Sequence, residues 1–250
     1  MFTAALLLGA GALGGLVNAM AGGATLFTFP AMLAAGLPPI VANASNAVAI
    51  SPGHLLAAVA DRDRLPRLNR RLATISVAMA AGAALGAAVL LVLPERLFVL
   101  PTPALIAFAT LLFAASPQLQ PLVRARSRGD HPAWWELPAL FAAAVYGGFF
   151  GAGLGVILTA VVALTEGGDL RTVKVQKNLL ATVVSGVAVL VFVARGAVRW
   201  PETLIMLVGA LAGGYAGGRL IRVCPVWVTR WSVTLAGLVM TAIYAVKYWS

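Results

Sequence analysis

Shifting the chain against itself by 132 residues lays one glycine-rich stretch on another without a gap. Gly15 falls on Gly147, Gly23 on Gly155, Gly36 on Gly168 and Asn46 on Asn178, and the same shift pairs Arg67 with Arg199, Gly82 with Gly214 and Gly86 with Gly218. Overall identity between the halves is low. Coincidences that fall on glycines and a polar amide at one fixed offset nevertheless mark an internal duplication.

Composition decides which solvent the duplicates fold in. Of 250 residues, 61% are apolar and 10% charged, too little polar surface to cover a water-soluble globule, so the chain belongs in a bilayer. The net charge of +10 would suggest nucleic acid in a soluble protein, but the basic residues sit in short clusters between apolar runs, as cytoplasmic loops do. Nucleic acid is therefore not an expected partner. The single cysteine, Cys224, has no internal partner, and no Cys/His spacing suggests a metal, so no cofactor is expected. The first apolar run has no basic residue before it and no A-x-A site, and is read as part of the membrane domain rather than a signal peptide.

The apolar segments of the first half are expected at Thr3–Met20, Thr25–Ala35, Pro39–Ala60, Leu72–Leu93 and Pro103–Ser116, with a short loop at Glu95 and Arg96 before the last. The second half repeats the plan with Trp134–Phe150, Val156–Thr165, Leu170–Ala194, Pro201–Ile221 and Val226–Tyr248, the first two separated by a Gly151–Gly155 break. The fold class is thus an all-α polytopic membrane protein of two repeats of about five segments, giving 8–10 membrane segments. The repeats cover 1–116 and 133–250, and the basic linker 117–132 joins them. Thr25–Ala35 reaches roughly 17 Å as a helix, about half of a hydrocarbon core, so it is either re-entrant or oblique.

Asp61–Arg71 carries five arginines against two aspartates, and the loops at 117–132 and 219–230 are also basic. An even number of segments separates each from the next, so all three fall on one side, expected to be the cytoplasm of a bacterial inner membrane with both termini outside. An odd number of segments per half then makes the copies inverted, the plan of many secondary transporters with a site near the midplane. The six tryptophans lie at expected helix ends, as interfacial anchors do.

Irregular backbone at membrane depth is tolerated only beside protein or a water-filled cavity. A glycine break between two apolar half-helices therefore points to a cavity, and helix N-termini that follow it direct N–H groups and partial positive charge inward. An anion suits such a place. Gly22, Gly23, Gly153 and Gly155 are read this way, whereas Gly82-x-x-x-Gly86 and Gly214-x-x-x-Gly218 are read as helix packing.

The run GLVNAMAGGA at 15–24, with Pro30 and AGLPP at 35–39, and then YGGFFGAGLG at 146–155, resembles the TauE/SafE family of sulfite and organosulfonate exporters, particularly its bacterial branch of unassigned substrate. The resemblance covers nearly the whole chain. It implies an integral inner-membrane transporter of sulfur-containing anions such as sulfite or sulfoacetate. Two departures stand out: Asn18 and Gly147 occupy places where that branch usually has an acidic residue. Any proton coupling those carboxylates serve would be lost here.

Polar residues inside the apolar segments are few. Asn43 and Asn46 share a helix face, as do Lys174 and Asn178. The shift pairs Ser45 with Lys177 and Asn46 with Asn178, so a pseudo-symmetric site would be cationic on one side only. Amide and hydroxyl donors with a lysine suit an oxyanion. The competing roles are snorkelling for Lys174 and Lys177, and interhelical hydrogen bonds for Asn46 and Asn178. His54, about two turns inside its helix, is a candidate for proton coupling. Glu166 and Asp169 are read as solvated turn residues.

The expectation is a transporter, with rocking of one repeat against the other, for a small anion, with lipid as its surroundings and a homodimer allowed. A channel of the same fold is the first rival. A membrane-embedded enzyme is disfavoured because the helices carry no paired carboxylates, no Ser/His/Asp set and no ligand spacing.

Overall fold

The computed structural model describes residues 2–20, 23–116, 134–165, 170–220 and 226–249. Gly22, Gly168, Cys224, the linker 117–132 and the turn with Glu166 and Asp169 lie outside the described residues. Among the described residues every regular element is a helix. The first half holds α1 (Phe2–Met20), α2 (Thr25–Ala34), α3 (Pro39–Ile50), α4 (Pro52–Ala60), α5 (Arg70–Val92), α6 (Glu95–Val99) and α7 (Thr102–Ala115). The second holds α8 (Glu136–Phe149), α9 (Leu154–Thr165), α10 (Leu170–Ala194), α11 (Trp200–Leu220) and α12 (Val226–Trp249). The offset of the sequence repeat lays α1 on α8, α2 on α9, α3 with α4 on α10, α5 on α11, and α6 with α7 on α12.

Local chemistry explains most boundaries. Pro39 opens α3, where its missing N–H costs nothing, and Asn69 caps α5 by accepting from the Leu72 amide at 2.8 Å. Two expected elements change. The single helix expected over Pro39–Ala60 is kinked at Ser51, because Pro52 has no N–H to offer the preceding turn; the Ser51 hydroxyl donates to the Val48 carbonyl instead, at 3.3 Å. The short loop expected at Glu95 and Arg96 is helix α6, started after Pro94, and it continues the apolar stretch of α7.

Among the described residues, five stretches are long and apolar enough to cross a membrane: Phe2–Ala19, Arg70–Val92, Glu95–Ala115, Arg171–Ala194 and Arg230–Trp249. Helix α2, with Pro30 inside it, spans only about 15 Å. Leu13, Val77, Leu111, Leu190 and Leu235 stand exposed on the outside of the bundle, an apolar surface that suits lipid and not water. Trp134, Trp200 and Trp249 are exposed near helix ends, and the Trp249 indole donates to the Leu100 carbonyl at 2.8 Å.

Helices of opposite halves pack reciprocally. The first segment of each half lies on the fourth of the other, α1 on α11 and α8 on α5; the third lies on the fourth, α3 on α11 and α10 on α5; and the fifth segments, α7 and α12, lie on each other. Glycine makes the first of these contacts backbone to backbone. A methyl group at Gly11 or Gly15 of α1 would strike the Met206 or Ala210 carbonyl, and one at Gly209 or Gly213 of α11 would strike that of Leu8 or Ala12. In the α5/α8 pair, Gly82, Gly86 and Gly148 meet the carbonyls of Phe141, Val145 and Ala83 in the same way. The packing role expected for Gly82 and Gly86 is therefore seen. In the second copy the register differs: Gly214 makes only ordinary contact with Gly15, and Gly209, Gly213 and Gly217 form the interface, because α11 turns a neighbouring face to α1.

Among the described residues, ion pairs join loop ends of the two halves. Arg71, at the start of α5, donates to both oxygens of the buried Glu136 carboxylate at 2.7 Å. Arg171, in the first turn of α10, pairs with Asp61 at the end of α4. The ends of the arginine loop and the starts of α8 and α10 thus share one end of the bundle.

Candidate functional site

The two glycine breaks are built differently. The first lies between Met20 and Thr25, with Gly23 at φ +143° and the Phe113 ring 3.1 Å from where a Cβ at Gly23 would lie. The second is the turn Phe150–Gly153, where Gly151 and Gly153 sit at φ +77° and +78°, angles that L side chains rarely adopt. The Tyr146 hydroxyl donates to the Ala152 carbonyl at 2.6 Å and holds that turn closed. Gly153 rests against Ala109 and Leu112, so both breaks converge on α7. The expected break at 151–155 is shorter than its sequence suggests: Gly155 belongs to α9, as its second residue.

Gly155 is where the second break turns polar. A Cβ there would lie 3.8 Å from the Lys177 ammonium and 3.7 Å from its Cδ, so the lysine of α10 reaches back to the first turn of α9. His54 is the third residue of α4, just after the kink rather than deep in one long helix. Helices α4 and α10 pack directly, which carries the kink to the lysine. Lys174 is exposed on α10. Asn178 is half-buried, its backbone carbonyl accepting from the Thr182 hydroxyl.

The α3 residues form a second cluster, nearer the opposite end of the bundle. Asn43, Ser45 and Asn46 are each at most 2% exposed. Asn43 Nδ2 donates to the Phe149 carbonyl at 3.0 Å, and Ser45 Oγ accepts from the Arg199 amide at 2.9 Å. Around the Phe149 end, Phe29 packs edge to face on both Phe98 and Phe150, with the Phe29 and Phe150 rings 5.4 Å apart. The structure therefore brings Gly155 and Lys177 together, with His54 on the helix α4 that packs on α10, and holds Asn43, Ser45 and Asn46 on α3, while Gly23 stands among apolar side chains.

The departures at 18 and 147 also acquire surroundings. The Asn18 amide nitrogen stands 3.1 Å from a Cβ position at Gly53, beside His54 in α4. Gly147 faces Val184 and Leu154, an apolar contact with no room for a carboxylate. Sequence reading passed over Tyr146, which lies inside the YGGFFG run and could have been found there, and over Glu136 and Glu202, whose surroundings come from distant helices.

The family model for the sulfite exporter TauE/SafE matches residues 7–244. The chain belongs to the TauE/SafE family. It is 26% identical over 226 residues to a probable membrane transporter protein of Haemophilus influenzae, covering 90% of this chain and 88% of that one. Against the probable membrane transporter protein YfcA of Escherichia coli K12 it is 27% identical over 231 residues, 92% of this chain and 85% of the relative. A third relative, the probable membrane transporter protein ORF9 of a Sinorhizobium species, is 30% identical over 208 residues, 82% of this chain and 78% of its own. No solved structure matches the chain. Membership of the TauE/SafE family makes this a multi-pass membrane transporter and not an enzyme.

Proposed function

We propose that this TauE/SafE member exports a small anion, a sulfur oxyanion or organosulfonate such as sulfite or sulfoacetate, by alternating access in a fold of two inverted repeats. The carrying observation is the Lys177 ammonium 3.8 Å from the Cβ position of Gly155, in the first turn of α9. A helix N-terminus already carries partial positive charge, so an ammonium placed there is repelled unless an anion sits between them. Gly155 has no side chain to fill that space. The polar neighbours His54 and Asn18 can supply donors to oxyanion oxygens. Reciprocal packing of the halves supports the inverted arrangement, and the arginine-rich end of the bundle is assigned to the cytoplasm of the bacterial inner membrane.

Reconstitution into liposomes tests this. Sulfite or sulfoacetate uptake should saturate and show counterflow, and Lys177→Ala or Lys177→Gln should abolish it while the purified variants keep the wild-type elution profile. Unchanged flux in these variants would remove Lys177 from the site. Linear flux without counterflow would indicate a channel. A thermal-shift screen of the anions against taurine and carboxylate controls would overturn the anion reading if only zwitterions or cations stabilised the protein.

A further inference from the structure

The second glycine break leaves some of its backbone donors unused. Where α8 ends, the Tyr146 carbonyl accepts from the amides of both Phe150 and Gly151, at 2.8 and 3.1 Å. The Leu154 amide donates to the Gly151 carbonyl at 3.2 Å, and those of Val156 and Ile157 share the Gly153 carbonyl at 2.9 and 3.3 Å. Among the described residues, no acceptor takes the amide hydrogens of Ala152, Gly153 or Gly155. Ala152 is 1% exposed, and a buried N–H without a partner is rare enough to need a reason. Gly153 and Gly155 are half-buried. Free amides in a turn that runs into a helix N-terminus form the kind of concavity that backbone presents to an anion. The Lys177 ammonium, 3.8 Å from the Cβ position of Gly155, brings a full positive charge to the same place.

The backbone alone does not fix the direction of these donors. Gly153 tolerates either sign of φ, so the Ala152–Gly153 peptide is free to turn over and to offer its carbonyl where its N–H had been. A carbonyl oxygen in that position would repel an anion. The Tyr146 hydroxyl prevents the change by donating to the Ala152 carbonyl at 2.6 Å. The peptide is trans, and a trans peptide aims its N–H opposite to its C=O. Holding the carbonyl toward Tyr146 therefore sends the Gly153 N–H the other way. The tyrosine ring is itself held, edge-on to Phe108 and Phe150 at 5.6 and 6.5 Å between centroids.

We propose that Tyr146 is a positioning residue of the anion site: its hydroxyl fixes the Ala152–Gly153 peptide so that the Gly153 N–H, together with those of Ala152 and Gly155, is presented to the anion. This role presupposes the anion held at Lys177 and Gly155. Tyr146 does not touch the anion; it acts through the turn.

The test compares the purified full-length chain with Tyr146→Phe, which keeps the ring against Phe108 and Phe150 and removes only the hydroxyl. Uptake of sulfite and of sulfoacetate into liposomes is followed over a range of concentrations at fixed pH. The variant should keep the wild-type elution profile and raise the half-saturating anion concentration by about tenfold, as the loss of one hydrogen bond does. Placing 4-aminophenylalanine at position 146 restores an N–H donor and should bring the value back. Hydrogen–deuterium exchange supplies a readout that fold stability alone does not move: sulfite should slow exchange at 152–155 in the wild type and not in Tyr146→Phe. A lowered unfolding midpoint with unchanged half-saturation and unchanged protection by sulfite would make the bond a support of the turn only and overturn the role. If Tyr146→Phe does not fold, the wild type still decides, because sulfite that leaves exchange at 152–155 unaltered overturns it too. A wild-type chain that neither binds nor carries either anion overturns the reading of the Lys177 site itself, and the role of Tyr146 with it.

Discussion

Gly155 and Gly86 are both glycines of apolar helices, yet a methyl group would meet opposite surroundings at the two. At Gly155 the nearest atoms are 3.7 and 3.8 Å away and belong to a flexible lysine; at Gly86 the nearest is the Val145 carbonyl on another backbone. Gly155→Ala should therefore leave the unfolding midpoint unchanged or higher, since alanine is the better helix former by about 1 kcal/mol, while reducing anion flux. Gly86→Ala should destabilise the protein by about 1–3 kcal/mol, as overpacking does. Thermal unfolding of both variants checks the contrast, and equal losses would mean that Gly155 serves packing after all. The polar residues themselves were conspicuous in the sequence, because so few interrupt the apolar runs. Their partners were not. Asn43 bonds to a carbonyl 106 positions away and Ser45 to an amide 154 positions away, distances that no local pattern encodes.

Helix α3 ends and α4 begins at a proline, whereas the corresponding stretch of the second half is the uninterrupted α10. Proline at position 52 could have signalled this in the sequence, but a proline inside an apolar run marks either a kink or a boundary, and packing chooses between them. Here His54 follows the kink on α4, the helix that packs on α10, which carries Lys177. Pro52→Ala would restore the missing N–H and favour a straight helix. The expected outcome is a raised unfolding midpoint with lowered flux in liposomes, and unchanged flux would separate the kink from transport. Element types were legible from apolar runs and glycine breaks, since these reflect the bilayer and the backbone directly. Their exact ends were not: α6 hid in a stretch that its charges, Glu95 and Arg96, made look like a loop, and Gly155 proved helical although its neighbours Gly151 and Gly153 are not.

At the scale of the molecule, the 132-residue offset pairs the described helices of one half with those of the other, and the structure adds how they interlock. Because α1 rests on α11 and α8 on α5, neither half can satisfy its own glycine faces. Residues 1–116 and 133–250 expressed separately should each be degraded, while co-expression should yield a pair that purifies together and transports. A stable, monodisperse single half would contradict this.

The carbonyl-on-glycine contacts between α1 and α11 also bear on how the molecule could move. Two backbones in direct apposition have no side chains between them to repack, so they travel together or come apart wholesale. The same holds for α5 with α8. A mechanical seam that followed the gene duplication would have to open both of these contacts at once. The seam that leaves them intact runs across the duplication, giving two moving bodies that each mix helices from both copies, with the α7/α12 pair between them. Ancestry and mechanics would then divide this transporter along different lines.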